Sequence, residues 1–141
     1  QLSDGRRRIV VVLGAMLALV LVVAVAAASE LGSGPITVDI RIHHSRYEPS
    51  VLTVPTGRPI RFVFRNEDPI EHEWIVGDAQ VHQVHRTGTE AHHGERPTEV
   101  SIPALGTVTI TVTFPAGATL SYICHLTGHE AFGMVGTLTI R

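Results

Sequence analysis

Near its C-terminus the chain reads Tyr122-Ile-Cys-His-Leu-Thr-Gly-His-Glu-Ala-Phe-Gly-Met134, which gathers a thiol, two imidazoles and a thioether into one short stretch. Cys124 is the only cysteine. With no intramolecular disulfide partner it is a spare thiol, an intermolecular link or a metal ligand. Strand alternation bears on that choice. Leu120, Tyr122 and Cys124 share one face, and Met134 shares parity with Leu138 and Ile140 on the following run. Both sulfurs should then point toward the core end of a sheet, with His129 on the loop between them. A thiolate, imidazoles and a distant thioether form the donor set of a mononuclear electron-transfer copper site. Copper(I) favours soft, low-coordinate ligands and copper(II) accepts imidazole, so a rigid compromise between the two keeps redox reorganisation small. The second imidazole has to come from a distant strand, so that the scaffold fixes the geometry. His72 has that position: it follows Asn66-Glu-Asp-Pro-Ile-Glu and opens the run His72–Val76. His43 and His44 end the first strand and read as surface residues.

The elements that would position these groups are strands. Ile36, Val38, Ile40 and Ile42 alternate with polar residues, as do Val108, Ile110, Val112 and Phe114 within Thr107–Phe114. Shorter candidates are Val51–Val54, Pro59–Asn66, His72–Val76, Glu99–Ile102, Thr119–Cys124 and Met134–Ile140. Turns at Pro55 to Gly57, Pro103 to Gly106 and Pro115 to Gly117 separate them. Eight short strands punctuated in this way predict an all-β sandwich or barrel. Trp74 shares the face of His72 and reads as core, while Glu130 and Phe132 rim the site. From Gly77 to Pro97 no apolar period persists, and that stretch reads as a long loop. Its His82, His85, His92 and His93 read as solvated. The sharper alternative is an accessory metal site built from His82 and His85 or from His92 and His93, with Asp78 or His125.

Before the domain, residues 9–28 form an uncharged apolar run preceded by Arg6, Arg7 and Arg8. Twenty residues at about 1.5 Å each span roughly 30 Å, the depth of a bilayer core. The basic flank predicts residues 1–8 on the cytoplasmic side and the domain outside, in the periplasm or at the cell surface. Small residues at the end of the run also fit a cleaved signal, which would make the domain secreted. The length favours a transmembrane anchor. Residues 29–35 form a Gly/Ser-rich linker, leaving residues 36–141 as one domain. Leaving out residues 1–28 removes three Arg and one Asp, so eight Arg stand against twelve acidic residues, a charge of −4 with neutral His. That balance argues against a nucleic-acid partner.

The pattern Y-x-C-x4-H-x4-M-x-G over Tyr122 to Gly136, with the upstream N-x5-H of Asn66 and His72, resembles the cupredoxin (type 1 or blue copper) family. The resemblance covers nearly the whole domain. Its four-residue spacing after the cysteine is similar to that of the longer-loop members rusticyanin and auracyanin. It implies a Greek-key β-sandwich holding one copper ion, with Cys124 as thiolate, His72 and His129 as equatorial imidazoles and Met134 as axial thioether. The implied activity is one-electron transfer between extracytoplasmic redox proteins, with the edge of His129, beside Leu126 and Phe132, as the electron port. Copper storage, delivery or resistance through the His-rich loop is the alternative. No enzymatic role is expected, because catalytic proteins of this fold need further copper centres. Two departures stand out. Glu73 follows the first imidazole where many members have Asn or a small residue, which bears on the hydrogen-bond clasp between the ligand loops. His125 follows Cys124 directly, and alternation points it away from the metal.

Overall fold

The strands form where alternation places them, and their inward residues make one core. The computed structural model describes residues 34–88 and 96–141. Residues Pro35–Arg141 make one compact unit. Among the described residues the strands are β1 (Ile36–Ile42), β2 (Tyr47–Glu48), β3 (Val51–Val54), β4 (Pro59–Asn66), β5 (His72–Gly77), β6 (Glu99–Ile102), β7 (Thr107–Thr113), β8 (Ala118–Ile123) and β9 (Val135–Ile140). One sheet is ordered β2-β1-β4-β7 and the other β3-β9-β8-β5-β6. β1 with β4 and β3 with β9 are parallel pairs, and the remaining pairs are antiparallel. Ile40 and Ile42 of β1, Ile60, Phe62 and Phe64 of β4 and Val112 of β7 face Trp74, Val76, Ile102, Tyr122 and Leu138 of the second sheet. Burying such side chains is worth about 1.5–3 kcal/mol each, which is what holds the layers together. The all-β sandwich expected from the sequence is what forms.

Two elements differ from that expectation. The stretch after β5 is not all loop: Ala79–Thr87 is a helix, α1. Its apolar residues are few, so its stability comes from elsewhere. Asp78 caps it, accepting hydrogen bonds from the backbone N–H groups of Gln80 and Val81. The helix then seats Val81 on Gly77, where an added Cβ would lie 2.4 Å from the Val81 Cβ. That packing covers the outer face of β5, which explains why every residue of this strand is buried. The second difference is β2, two residues long, too short for any alternation to announce it. Tyr47 is nonetheless buried, and its hydroxyl donates to the Glu73 carbonyl.

The apolar run of residues 9–28 and its linker to residue 33 lie outside the described residues, as do His92 and His93. Among the described residues, no helix is long and apolar enough to cross a membrane.

Candidate metal centre

Three elements converge at one end of the sandwich. His72 opens β5, Cys124 follows the last residue of β8, and His129 sits on the loop to β9. His72 and Cys124 are fully buried and His129 is half-buried. His129 Nδ1 lies 3.2 Å from His72 Nδ1 and 3.2 Å from Cys124 Sγ. All three ligand atoms fall within 4.8 Å of one another, the one such grouping among the described residues. A trigonal ion bonded to imidazole at about 2.0–2.1 Å and to thiolate at about 2.3 Å spaces its donors roughly 3.6–3.8 Å apart. The two contacts of His129 therefore need to open by only about half an ångström to take such an ion, and a soft sulfur with two imidazoles suits copper or zinc.

The loop from Cys124 to Met134 owes its shape to two glycines and a set of backbone bonds. Gly128 and Gly133 adopt φ of 87° and 89°, the left-handed region that side chains resist. The Met134 N–H donates to the His129 carbonyl at 3.0 Å, and the Cys124 N–H donates to the Met134 carbonyl at 3.2 Å. Met134 is fully buried at the end of this loop, with its backbone tied to both Cys124 and His129.

Around this trio the polar neighbours are specific. Asp68 Oδ2 lies 2.9 Å from His72 Nε2, which leaves Nδ1 facing the centre. The same carboxylate accepts the backbone N–H groups of His44 and Ser45, each at 2.7 Å. Burial alone would raise the Asp68 pKa, but these bonds and His72 outweigh it and hold the carboxyl below its usual range. Asn66 fixes the turn that presents Asp68: its side-chain amide donates to Ile70 and Pro103 carbonyls at 2.8 and 2.9 Å, and its oxygen accepts the Asp68 N–H at 3.0 Å. The role of Asp68 escapes sequence reading, the only signal being an acidic residue four positions before a histidine.

Glu73 does supply a clasp. Its backbone N–H donates to Cys124 Sγ at 3.3 Å, and its carboxylate accepts the His125 N–H at 3.3 Å. The two ligand segments are thus joined through the backbone and the carboxylate of Glu73. Burial pushes the Cys124 thiol up to about 11, with the Glu73 and Leu126 N–H groups working against it. A metal must therefore displace a proton to bind the sulfur.

His43 and His44 stay out of the centre. His43 is half-buried beside Glu67 and His44 is exposed. Phe132 stands 73% exposed on the His129 loop, beside half-buried Leu126. Glu130 is held by Arg86 at 2.6 Å. His125 points to the outer face of the sheet, where it meets His82 of α1, with His85 stacked against it at a ring separation of 5.7 Å. His82 and His85 are therefore not solvated loop residues; the helix brings both onto the sheet.

Comparison with known proteins bears on the family and the fold. Residues 14–94 match the sequence profile of the cupredoxin-like domain. A copper-resistant cuproprotein, CopI, of Rubrivivax gelatinosus is 30% identical over 100 residues, covering 68% of this chain and 60% of its own length. Auracyanin-A of Chloroflexus aurantiacus is 28% identical over 126 residues, covering 78% of this chain and 77% of its own length. The crystal structure of dithionite-reduced auracyanin from Roseiflexus castenholzii superposes with a TM-score of 0.63 at 26% identity, over 77% of this chain and 99% of that one. With the two-sheet sandwich, the convergent thiol and imidazoles and the matched profile together, the chain belongs to the cupredoxin-like family.

Proposed function

We propose that the domain holds one copper ion through His72, Cys124 and His129, with Met134 as the axial thioether, and that it carries single electrons between redox proteins outside the cytoplasm. The observation that carries this reading is the mutual approach of one thiol and two imidazoles at the buried end of the sandwich. When bound there, copper supplies a one-electron couple. The protein's own residues do the rest. β5, β8 and the β8–β9 loop hold the donors in place through a redox cycle, Asp68 orients His72, and the fully buried positions of His72 and Cys124 keep water away. The half-buried His129, with exposed Phe132 beside it, offers the port at which a redox partner docks transiently on a small surface. The apolar segment of residues 9–28 would tether this domain to a membrane.

Copper handling is the second reading, favoured by the name of the CopI relative and by the imidazoles gathered on α1. The two readings separate in one experiment. The copper-loaded protein is cycled between oxidant and reductant in the presence of a copper(I) chelator. Electron carriage predicts fast, repeated cycling with copper retained. Loss of copper to the chelator in step with each reduction favours handling.

The carboxylate clasp carries its own prediction. Glu73 is 4% exposed, with its backbone N–H on the Cys124 sulfur and its carboxylate on the N–H of the next residue, His125. A buried negative charge favours the more positive, oxidised centre. Glu73→Gln keeps an oxygen for the His125 N–H and removes the charge. Its reduction potential is expected to rise by roughly 60 mV, a tenfold change in a one-electron equilibrium. Spectroelectrochemical titration of the two proteins checks this, and equal potentials would show that the charge is not felt.

A further inference from the structure

On the outer face of the second sheet His82 and His125 form a buried imidazole pair that the electron-transfer reading does not use. His82 is 3% exposed and the His125 side chain 4%. His82 Nδ1 lies 3.0 Å from His125 Nε2. The outer nitrogen of His82, Nε2, faces the Ser121 carbonyl at 3.3 Å. A carbonyl only accepts, so Nε2 carries the proton and Nδ1 presents a lone pair to His125.

His125 then has two choices. With its proton on Nε2 it donates to His82, but its Nδ1 becomes a buried lone pair 3.5 Å from a Glu130 carboxylate oxygen, with no hydrogen-bond partner. With its proton on Nδ1 it faces Glu130 favourably, but two lone pairs oppose each other across 3.0 Å. Either tautomer sets one acceptor against another in a buried place, which costs about 1–3 kcal/mol. Burial pushes the His82 ring below the usual imidazole range, which keeps its lone pair free at neutral pH.

We propose that His82 Nδ1 and His125 Nε2 bind a second metal ion, of the copper or zinc class that imidazole ligands favour. A backbone carbonyl and a carboxylate on the outer nitrogens are the partners that metal-bound imidazoles characteristically have. Bonds of about 2.0 Å from two nitrogens 3.0 Å apart describe a bent bridge, and an opening of roughly 1 Å makes it linear. Among the described residues no third His, Cys, Asp or Glu donor joins the pair at ligand spacing. Remaining positions fall to water from the adjoining cavity of about 350 Å³, lined by Glu73, His85, Glu99 and His125. Arg86 is held on Glu130, which offsets its charge and keeps that carboxylate beside His125.

The test is a titration with zinc(II) of the full chain already loaded with one equivalent of copper(I). Metal content is measured after gel filtration, and ring ¹⁵N signals of His82 and His125 by NMR. One zinc per chain is expected beyond the copper, with both rings perturbed. His82→Asn and His125→Asn should each weaken that uptake at least tenfold. The titration is repeated on Cys124→Ala, which lacks the thiolate of the first centre, so the second site is read even if the copper reading fails. Should the two Asn variants not fold, the ring signals of the unmodified chain decide. No zinc beyond the copper, equal uptake by both Asn variants, or a proton shared between the rings at pH 7 that zinc does not displace would overturn the proposal.

Discussion

Cys124→Ala is expected to abolish the visible thiolate-to-copper(II) charge-transfer band while leaving the sandwich folded. The sulfur is the only thiol in the chain and lies 3.2 Å from His129 Nδ1, so nothing else nearby can supply a soft anionic donor. The fold should survive for a stated reason. Removing the sulfur takes away the acceptor of the Glu73 N–H and a partner of the Leu126 N–H, at about 1–3 kcal/mol for each buried donor left unpaired. A domain of this size has roughly 5–15 kcal/mol in hand. Absorbance and electron paramagnetic resonance read the copper, and circular dichroism with urea unfolding reads the fold. Persistence of the band in a folded Cys124→Ala protein would remove Cys124 from the centre.

Trp74→Ala should be the most destabilising of the core substitutions, at about 3–5 kcal/mol. Trp74 is fully buried, with its ring centroid 5.0 Å from those of Phe62 and Phe64 and 6.1 Å from that of Tyr122. It bridges the two sheets from β5, two residues beyond His72 on the same inward face, so the cavity would open beneath a proposed ligand. Trp74→Phe should cost less than half as much. It keeps an aromatic ring in place and removes an indole N–H that has no hydrogen-bond partner, a group that costs about 1–3 kcal/mol while it stays buried and unpaired. Urea midpoints of the three proteins measure the order. A cost below about 1 kcal/mol for Trp74→Ala would contradict the packing described.

Much of this was legible in the chain because strands advertise themselves. The alternation from Ile36 to Ile42 and from Thr107 to Thr113 carries both burial and face. The same parity puts Cys124 inward and His125 outward at the end of β8. His72 could be placed because it opens a strand after a turn-forming run. What could not be read depends on contacts between distant residues. Helix α1 has too few apolar residues to show a period; Asp78 and the seat at Gly77 hold it, and only the folded sheet supplies that seat. Without the helix, the pairing of His82 with His125, 43 positions away, stood only as the alternative to a solvated loop. Asp68 gains its role from backbone N–H groups more than twenty positions earlier. Glu73 looked like a departure from the family pattern, and its carboxylate turns out to reach the backbone on the far side of Cys124.

Titration of the metal-free chain with copper(II), followed by visible absorbance, tests the central claim most directly. The account predicts one intense sulfur-to-copper charge-transfer band that grows linearly and saturates at one copper per chain, whatever further metal the outer imidazoles take. Copper(II) taken up with only the weak absorption of imidazole and water ligands, and no band at one equivalent, would contradict it.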